Sequence, residues 1–103
     1  MLKVYGSKLC PNCAACRYNL DRQNAAYEFI DILESLGNLK ALLKYRDASP
    51  LFDGAKAAGK IGIPVLETDD GAITLDWEGY LKEHGMTVEE IPAGACDAGQ
   101  KAC

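Results

Sequence analysis

Residues 2–16 read LKVYGSKLCPNCAAC and place a pair of cysteines between a short strand and a helix. Apolar residues recur at alternate positions within residues 1–6, which predicts a strand that the following Gly-Ser pair ends. A helix is predicted over residues 11–23, because proline suits the first helical position, where its missing N–H costs nothing. The motif Cys10-Pro11-Asn12-Cys13 therefore stands at the start of a helix.

Two thiols with this spacing at a helix start suit disulfide exchange. The thiolate is the nucleophile in that chemistry, and the positive end of the helix dipole and the free N–H groups of the first turn favour a negative sulfur. We therefore expect Cys10 to be the attacking residue. Cys13 lies one turn further on and can resolve the mixed disulfide, closing a small ring with Cys10.

The composition describes one small globular domain. The chain has 103 residues, of which 49% are hydrophobic and 25% charged, and its formal net charge is -4. A negative chain without a basic stripe is not expected to bind nucleic acid or an anionic membrane. No apolar run has a spanning length and no signal peptide is visible, so a cytoplasmic location is the default expectation. The chain is also expected to be a monomer.

The rest of the pattern predicts an α/β domain with the order β-α-β-α-β-β-α, a four-stranded mixed sheet flanked by helices. We expect residues 1–92 to form this domain and residues 93–103 to form a flexible tail that carries Cys96 and Cys103. After the first helix, we predict a strand over residues 27–33 that is parallel to the first strand, then a helix capped by Asn38 and a shorter helix capped by Ser49. A strand follows Pro64, and a tight turn at Asp69-Asp70-Gly71 joins it to the returning strand of a hairpin. The last predicted helix is capped by Asp76. Thr87 and Glu90 have the spacing of a capping pair for one more turn.

This order of elements and two motifs resemble the glutaredoxin family of the thioredoxin-fold superfamily. Cys10-Pro11-Asn12-Cys13 matches the family's Cys-Pro-x-Cys motif, and Gly62-Ile63-Pro64 looks like the loop whose cis-proline faces the redox pair. The likeness covers about residues 1–84 and is greatest to the small bacterial glutaredoxin-related proteins. It implies a thioredoxin-like (glutaredoxin) fold and a thiol–disulfide oxidoreductase.

The resemblance also implies roles for individual residues. Cys10 would attack a substrate disulfide, and Cys13 would resolve it. The substrate would lie along Pro11 and Asn12 and against the backbone of Ile63 and Pro64.

Glutathione is implied as a co-substrate, with no bound cofactor. Lys8 and Asp76 are the residues that correspond to glutathione contacts. The chain departs from the family here, since Ser7 stands where members place a lysine, and Leu75-Asp76 replaces the paired glycines before the last helix. The implied partners are disulfide-containing proteins and, as electron donor, glutathione or a disulfide reductase.

Metal binding is the alternative reading of the same cysteines. Cys10, Cys13 and Cys16 have the spacing that opens the iron–sulfur run of bacterial ferredoxins, and Cys96 or Cys103 would supply a fourth ligand to iron–sulfur or zinc. A ferredoxin run continues with Cys-Pro where this chain has Leu20-Asp21, which opposes this reading. A cluster bridged between two subunits is a variant of it.

Three cysteines have a second interpretation. Cys16 follows Cys13 by one turn and is expected in the core, because free cysteine is among the most buried residue types. Cys96 and Cys103 are either a dithiol that exchanges with the Cys10–Cys13 pair or two incidental thiols.

Overall fold

The structure is a computed structural model, and it describes residues 1–91. It contains four strands, four α-helices and one 3₁₀ turn. In chain order these are β1 (Leu2–Gly6), α1 (Pro11–Arg22), β2 (Tyr27–Asp31), α2 (Leu36–Ala48), the 3₁₀ turn (Pro50–Phe52), α3 (Asp53–Ala57), β3 (Val65–Glu67), β4 (Ile73–Thr74) and α4 (Trp77–Glu83). The predicted α/β class and the predicted order of elements are confirmed, and the expected shorter helix capped by Ser49 is a 3₁₀ turn that leads directly into α3.

The four strands form one mixed sheet in the order β2-β1-β3-β4. β1 pairs in parallel with β2, where Val4 lies opposite Phe29, and antiparallel with β3, where Val4 lies opposite Leu66. β3 and β4 form the predicted antiparallel hairpin. The turn between them includes Gly71 with a positive φ of 86°, a backbone conformation that glycine adopts without a steric penalty.

Alternate residues of β1 and β3 face two separate cores, because successive side chains of a strand point to opposite faces. Val4 and Leu66 pack on one face with residues of α1 and α4, including Leu20 and Leu81. Their neighbours Tyr5 and Val65 pack on the other face with Leu42 of α2 and Phe52 of the 3₁₀ turn. Helices therefore cover both faces of the sheet.

The cap of α2 differs from the prediction. Asn38 was expected to be the cap, whereas the helix begins three residues earlier because the extended Ser35 accepts a hydrogen bond from the backbone N–H of Asn38 at 3.1 Å. The Asn38 side chain instead donates to the carbonyl of Asp31 at 2.9 Å. Asp31 also ends β2 two residues before the predicted end, since its carboxylate accepts the backbone N–H of Leu33 at 2.9 Å.

The turn expected at Thr87–Glu90 is also absent, since residues 86–91 have no helical assignment. Their polar backbone groups bind the side chains of α1 instead. Pro92 and the predicted tail lie outside the described residues. Within residues 1–91, no helix is long and apolar enough to cross a membrane.

Candidate active site at the start of α1

The structure places Cys10 at the N-cap of α1, as the motif predicted. Its φ and ψ of -91° and 123° are extended, its carbonyl accepts the N–H of Ala14 at 3.0 Å, and Pro11 occupies the first helical position. The backbone N–H of Cys10 donates to the Ser7 carbonyl at 3.2 Å, which closes the loop between β1 and the helix. The Cys10 side chain is partly exposed. A reactant in solution can therefore approach this sulfur.

Cys13 lies behind Cys10 and is fully buried. Its sulfur accepts the backbone N–H of Ser7 at 3.5 Å. Burial raises the pKa of the Cys13 thiol well above its usual range, while the Ser7 N–H acts in the opposite direction. Cys13 therefore keeps its proton at neutral pH in the reduced protein.

Gly6 makes room for the Cys13 sulfur. A Cβ placed on Gly6 would lie 2.7 Å from that sulfur and 3.2 Å from the ring of Phe29. Glycine is needed at this position because the backbone at the end of β1 lies directly against the Cys13 sulfur, with no room for a side chain between them. Ser7 and Gly6 were not predicted as site residues, although both come directly before the motif in the sequence.

The loop before β3 brings Ile63 to the first thiol. The Cys10 thiol points at the carbonyl oxygen of Ile63 at 4.0 Å, and the Ile63–Pro64 peptide bond is cis, as the resemblance implied. Gly62 has a φ of 94°, and a Cβ there would lie 2.7 Å from the Phe52 ring. The structure thus joins the two motifs that the sequence separates by about fifty residues.

Arg46 holds the loop from its outer side. Its Nε donates to the carbonyl of Ile61 at 3.0 Å, and its Nη2 donates to the carbonyl of Lys60 at 3.0 Å. The two bonds connect the last turn of α2 to the residues that lead to Ile63. A guanidinium presents its donors in a fixed planar fork, so it constrains the two carbonyls together.

An apolar groove of about 530 Å³ opens beside Cys10. Three exposed leucine and isoleucine side chains line it: Leu9 (81% exposed), Leu33 (61%) and Ile61 (50%). Pro11, Asn12 and Ile63 lie along the same groove. None of the three exposed residues was predicted to be a site residue, although Leu9 directly precedes Cys10 and Ile61 directly precedes Gly62.

A second groove of about 250 Å³ lies on the other side of the Ile63–Pro64 bond. Asn12, Asp76 and Trp77 line it together with Pro64. The Asp76 carboxylate caps α4 by accepting the N–H of Gly79 at 3.0 Å. Lys8 is exposed and lines neither groove, so the structure brings Asp76 but not Lys8 to the site.

Cys16 is fully buried in the core between α1 and the sheet, as predicted for a packing residue. Burial raises the pKa of its thiol to about 12. Within residues 1–91, no group of three or more His, Cys, Asp or Glu side chains is placed to hold a metal ion. Cys96 and Cys103, the candidates for a fourth ligand, lie outside the described part of the chain.

Comparison with known proteins finds a relative in Haemophilus influenzae. The chain is 38% identical over 73 residues to an uncharacterized protein of Haemophilus influenzae strain Rd, and the match covers 71% of this chain and 85% of that protein. No protein-family model and no solved structure matches the chain.

Proposed function

This chain belongs to the same family as the Haemophilus influenzae protein, and we propose that it is a thiol–disulfide oxidoreductase with a thioredoxin-like fold, similar to the glutaredoxins. One observation carries the proposal: a partly exposed Cys10 at a helix N-cap stands in front of a buried Cys13, with the Ile63 carbonyl 4.0 Å from the first thiol. This arrangement gives the two thiols the different accessibilities that the two steps of disulfide reduction require.

In the first step, the Cys10 thiolate attacks one sulfur of a substrate disulfide. The substrate S–S bond breaks, a mixed disulfide forms on Cys10, and the departing substrate thiolate takes up a proton. In the second step, Cys13 gives up its proton and attacks the Cys10 sulfur. The second substrate thiol leaves, so the substrate gains two electrons and the protein is left with a Cys10–Cys13 disulfide.

The surroundings of Cys13 support its role as the resolving thiol. Because burial raises its pKa, it stays protonated and does not compete with Cys10 for the substrate. The Ser7 N–H, which points at its sulfur, partly stabilises the thiolate when that thiolate is formed. Cys13 lies in the first turn of α1 and Cys10 at its N-cap, so the attacking and the attacked sulfur belong to the same end of one helix.

The apolar groove supports a protein as the substrate. Leu9, Leu33 and Ile61 surround the approach to Cys10, and an apolar side chain next to a substrate cysteine would bury against them. Glutathione, as a co-substrate, would contact the second groove near Asp76.

The test is reduction of a disulfide-bonded peptide, with dithiothreitol as the electron donor. Cys10→Ser is expected to fall to the uncatalysed rate, and Cys13→Ser is expected to accumulate a mixed disulfide between Cys10 and the peptide. Cys16→Ala, which alters a thiol of the core on the same helix, is the matched control and is expected to keep the activity.

Two results would overturn the proposal. One is a Cys10→Ser protein that reduces the peptide as fast as the unaltered chain. The other is stoichiometric iron or zinc in the purified chain that is lost with Cys10→Ser, which would favour the metal-binding alternative.

A further inference from the structure

The sheet has β2 at one edge and β4 at the other, and β2 is the edge that can pair with a further strand. It has five residues, whereas β4 has two. Within residues 1–91, no strand lies on the outer side of β2. The backbone N–H and C=O groups along such an edge are a template for a strand of another molecule.

The hydrogen bonds between β1 and β2 show which backbone groups of β2 face outward. The Ile32 N–H donates to the Gly6 carbonyl at 2.9 Å, so the backbone groups of Ile32 face β1. Backbone groups of successive strand residues point alternately to the two sides, and those of the other even-numbered residues therefore also face β1. The backbone groups that face away from the sheet belong to Tyr27, Phe29 and Asp31.

One of these outward groups, the Asp31 carbonyl, is already occupied. It accepts the backbone N–H of Glu34 at 3.1 Å and the Asn38 side chain at 2.9 Å, and a carbonyl has two lone pairs. The other outward groups have no hydrogen-bond partner within residues 1–91. They are the N–H groups of Tyr27, Phe29 and Asp31 and the carbonyls of Tyr27 and Phe29.

These groups let β2 pair with a second copy of itself. A two-fold axis at Phe29, the middle residue of the strand, makes the two strands antiparallel and places each Phe29 opposite the other. Each Phe29 then exchanges both of its backbone hydrogen bonds with its counterpart. Each Asp31 N–H donates to the Tyr27 carbonyl of the other copy, and the occupied Asp31 carbonyl is not needed.

The neighbouring registers are less favourable. An axis at Glu28 would place the two Glu28 carboxylates directly opposite each other, and like charges in that position destabilise a strand pair. An axis at Ile30 would direct the Phe29 N–H at the Asp31 carbonyl, which Glu34 and Asn38 already occupy. Pairing of β2 with itself is therefore best about Phe29.

The side chains favour the same register. On the α1 face, the Arg17 guanidinium carbon lies 4.2 Å from the centre of the Phe29 ring, and its buried Nε has no hydrogen-bond partner within residues 1–91. Asp31 of the second copy would stand diagonally across from Phe29 on this face, about 7–8 Å away, and would bring a carboxylate toward Arg17. On the other face Glu28 would lie opposite Ile30, so no like charges meet.

We propose that two copies of this chain form a symmetric dimer in which their β2 strands pair about Phe29 and join the two sheets. The same patch serves on both copies, so the contact closes at two and does not extend into a filament. The dimer uses no cysteine and is independent of the proposed function. Pairing through one strand is at the low end of specific interfaces in size, so we expect a micromolar dissociation constant.

Sedimentation equilibrium of the full chain tests for the dimer. A phosphine keeps the cysteines reduced, so that no disulfide joins two chains. Between about 1 and 500 µM protein, we expect a monomer–dimer equilibrium without larger species.

Hydrogen exchange of single amides, followed by NMR over the same concentrations, locates the contact. The N–H groups of Phe29 and Asp31 are expected to exchange about tenfold more slowly at the highest concentration than at the lowest. The Tyr27 N–H, which meets the occupied Asp31 carbonyl in this register, is expected to change less. This measurement needs no substitution, so it does not depend on the folding of a variant.

A matched pair of variants tests the register. Tyr27→Asp and Tyr27→Lys remove the same ring and its bond to Asp21, and they differ in the sign of the charge that faces Asp31 of the other copy. Symmetry repeats this contact in the dimer. The Lys variant is expected to dimerise with a dissociation constant about tenfold lower than that of the Asp variant, with a smaller difference at high salt.

Three results would overturn the proposal. A chain that stays monomeric at about 500 µM would exclude the dimer and agree with the monomer expected from the sequence. A dimer in which exchange at Phe29 and Asp31 does not slow would use another surface. Equal dissociation constants for the two Tyr27 variants would exclude the pairing about Phe29.

Discussion

The sulfur of Cys13 occupies the space in which a side chain on Gly6 would stand, since a Cβ there would lie 2.7 Å away from it. A methyl group at this position has to displace the thiol or the Phe29 ring, which would be 3.2 Å away. The last residue of the first strand thus sets the position of the Cys13 thiol.

Gly6→Ala is expected to lower the free energy of unfolding by about 1–3 kcal/mol, the usual cost of overpacking a core. It is also expected to slow closure of the Cys10–Cys13 disulfide, because the second thiol moves. Gly54→Ala is the control, since a Cβ on Gly54 would have no neighbour within 4 Å. Urea denaturation and the rate of ring closure measure the two effects, and equal stability of both variants would contradict the close contact.

The burial of Cys16 predicts a loss of stability at high pH. Its thiol has a pKa raised from 9.0 to about 12, so at pH values between these the unfolded chain has released a proton that the folded chain retains. The contribution of Cys16 to the free energy of unfolding is fully present below the unfolded pKa, and above that pKa it falls by about 1.4 kcal/mol per pH unit.

Cys16→Ala removes this contribution. We expect its free energy of unfolding, measured by urea denaturation of the reduced protein, to fall less steeply with pH above 9.0 than that of the unaltered chain. A packing defect would lower stability equally at every pH, so the slope isolates the titration. Identical slopes would show that the Cys16 thiol titrates normally.

Arg46 is expected to control the order of the loop beside Cys10. Arg46→Met removes the bonds to the carbonyls of Lys60 and Ile61. A hydrogen bond from a charged group is worth about 1.5 kcal/mol or more, so hydrogen exchange in residues 59–63 is expected to become about tenfold faster. Lys44→Met, an exposed site on the same helix, is expected to leave that exchange unchanged.

Asn19 is expected to hold the segment that follows α4. Asn19→Ala removes both bonds to the Glu89 backbone, so we expect the free energy of unfolding to fall by about 2 kcal/mol. We also expect a glutamate-specific protease to cleave faster after Glu89. Asn12→Ala, an exposed amide two turns earlier on the helix, is the control. Unchanged cleavage at Glu89 would mean that Asn19 does not anchor the segment.

Leu9 is expected to bind the substrate through the apolar groove. Leu9→Ser is expected to raise the KM for a disulfide peptide with a leucine beside its cysteine by about fivefold, equivalent to about 1 kcal/mol of lost apolar contact. Leu36→Ser is the control, since Leu36 is 73% exposed on α2 and does not line the groove. Equal KM values for the two variants would exclude substrate contact at Leu9.

Local sequence patterns predicted most of the fold. The alternation in β1, the proline at the start of α1, and the Asp-Asp-Gly turn each depend on neighbouring residues only, and the structure confirms all three. The cap of α2 was misplaced because Ser35 and Asn38 are both suitable caps, and the choice depends on the bond from the Asn38 side chain to Asp31. The turn expected after Thr87 was wrong because distant side chains of α1 bind that backbone.

The sequence by itself determined the Cys10-Pro11-Asn12-Cys13 motif and its place at a helix start, since both follow from local residues. Only the tertiary structure decided how the two thiols differ: Cys13 is buried against Gly6, while Cys10 is partly exposed beside Ile63 and the apolar groove. The physical reason is that burial, and with it the raised pKa of Cys13, depends on contacts between strands and loops that are far apart in the chain.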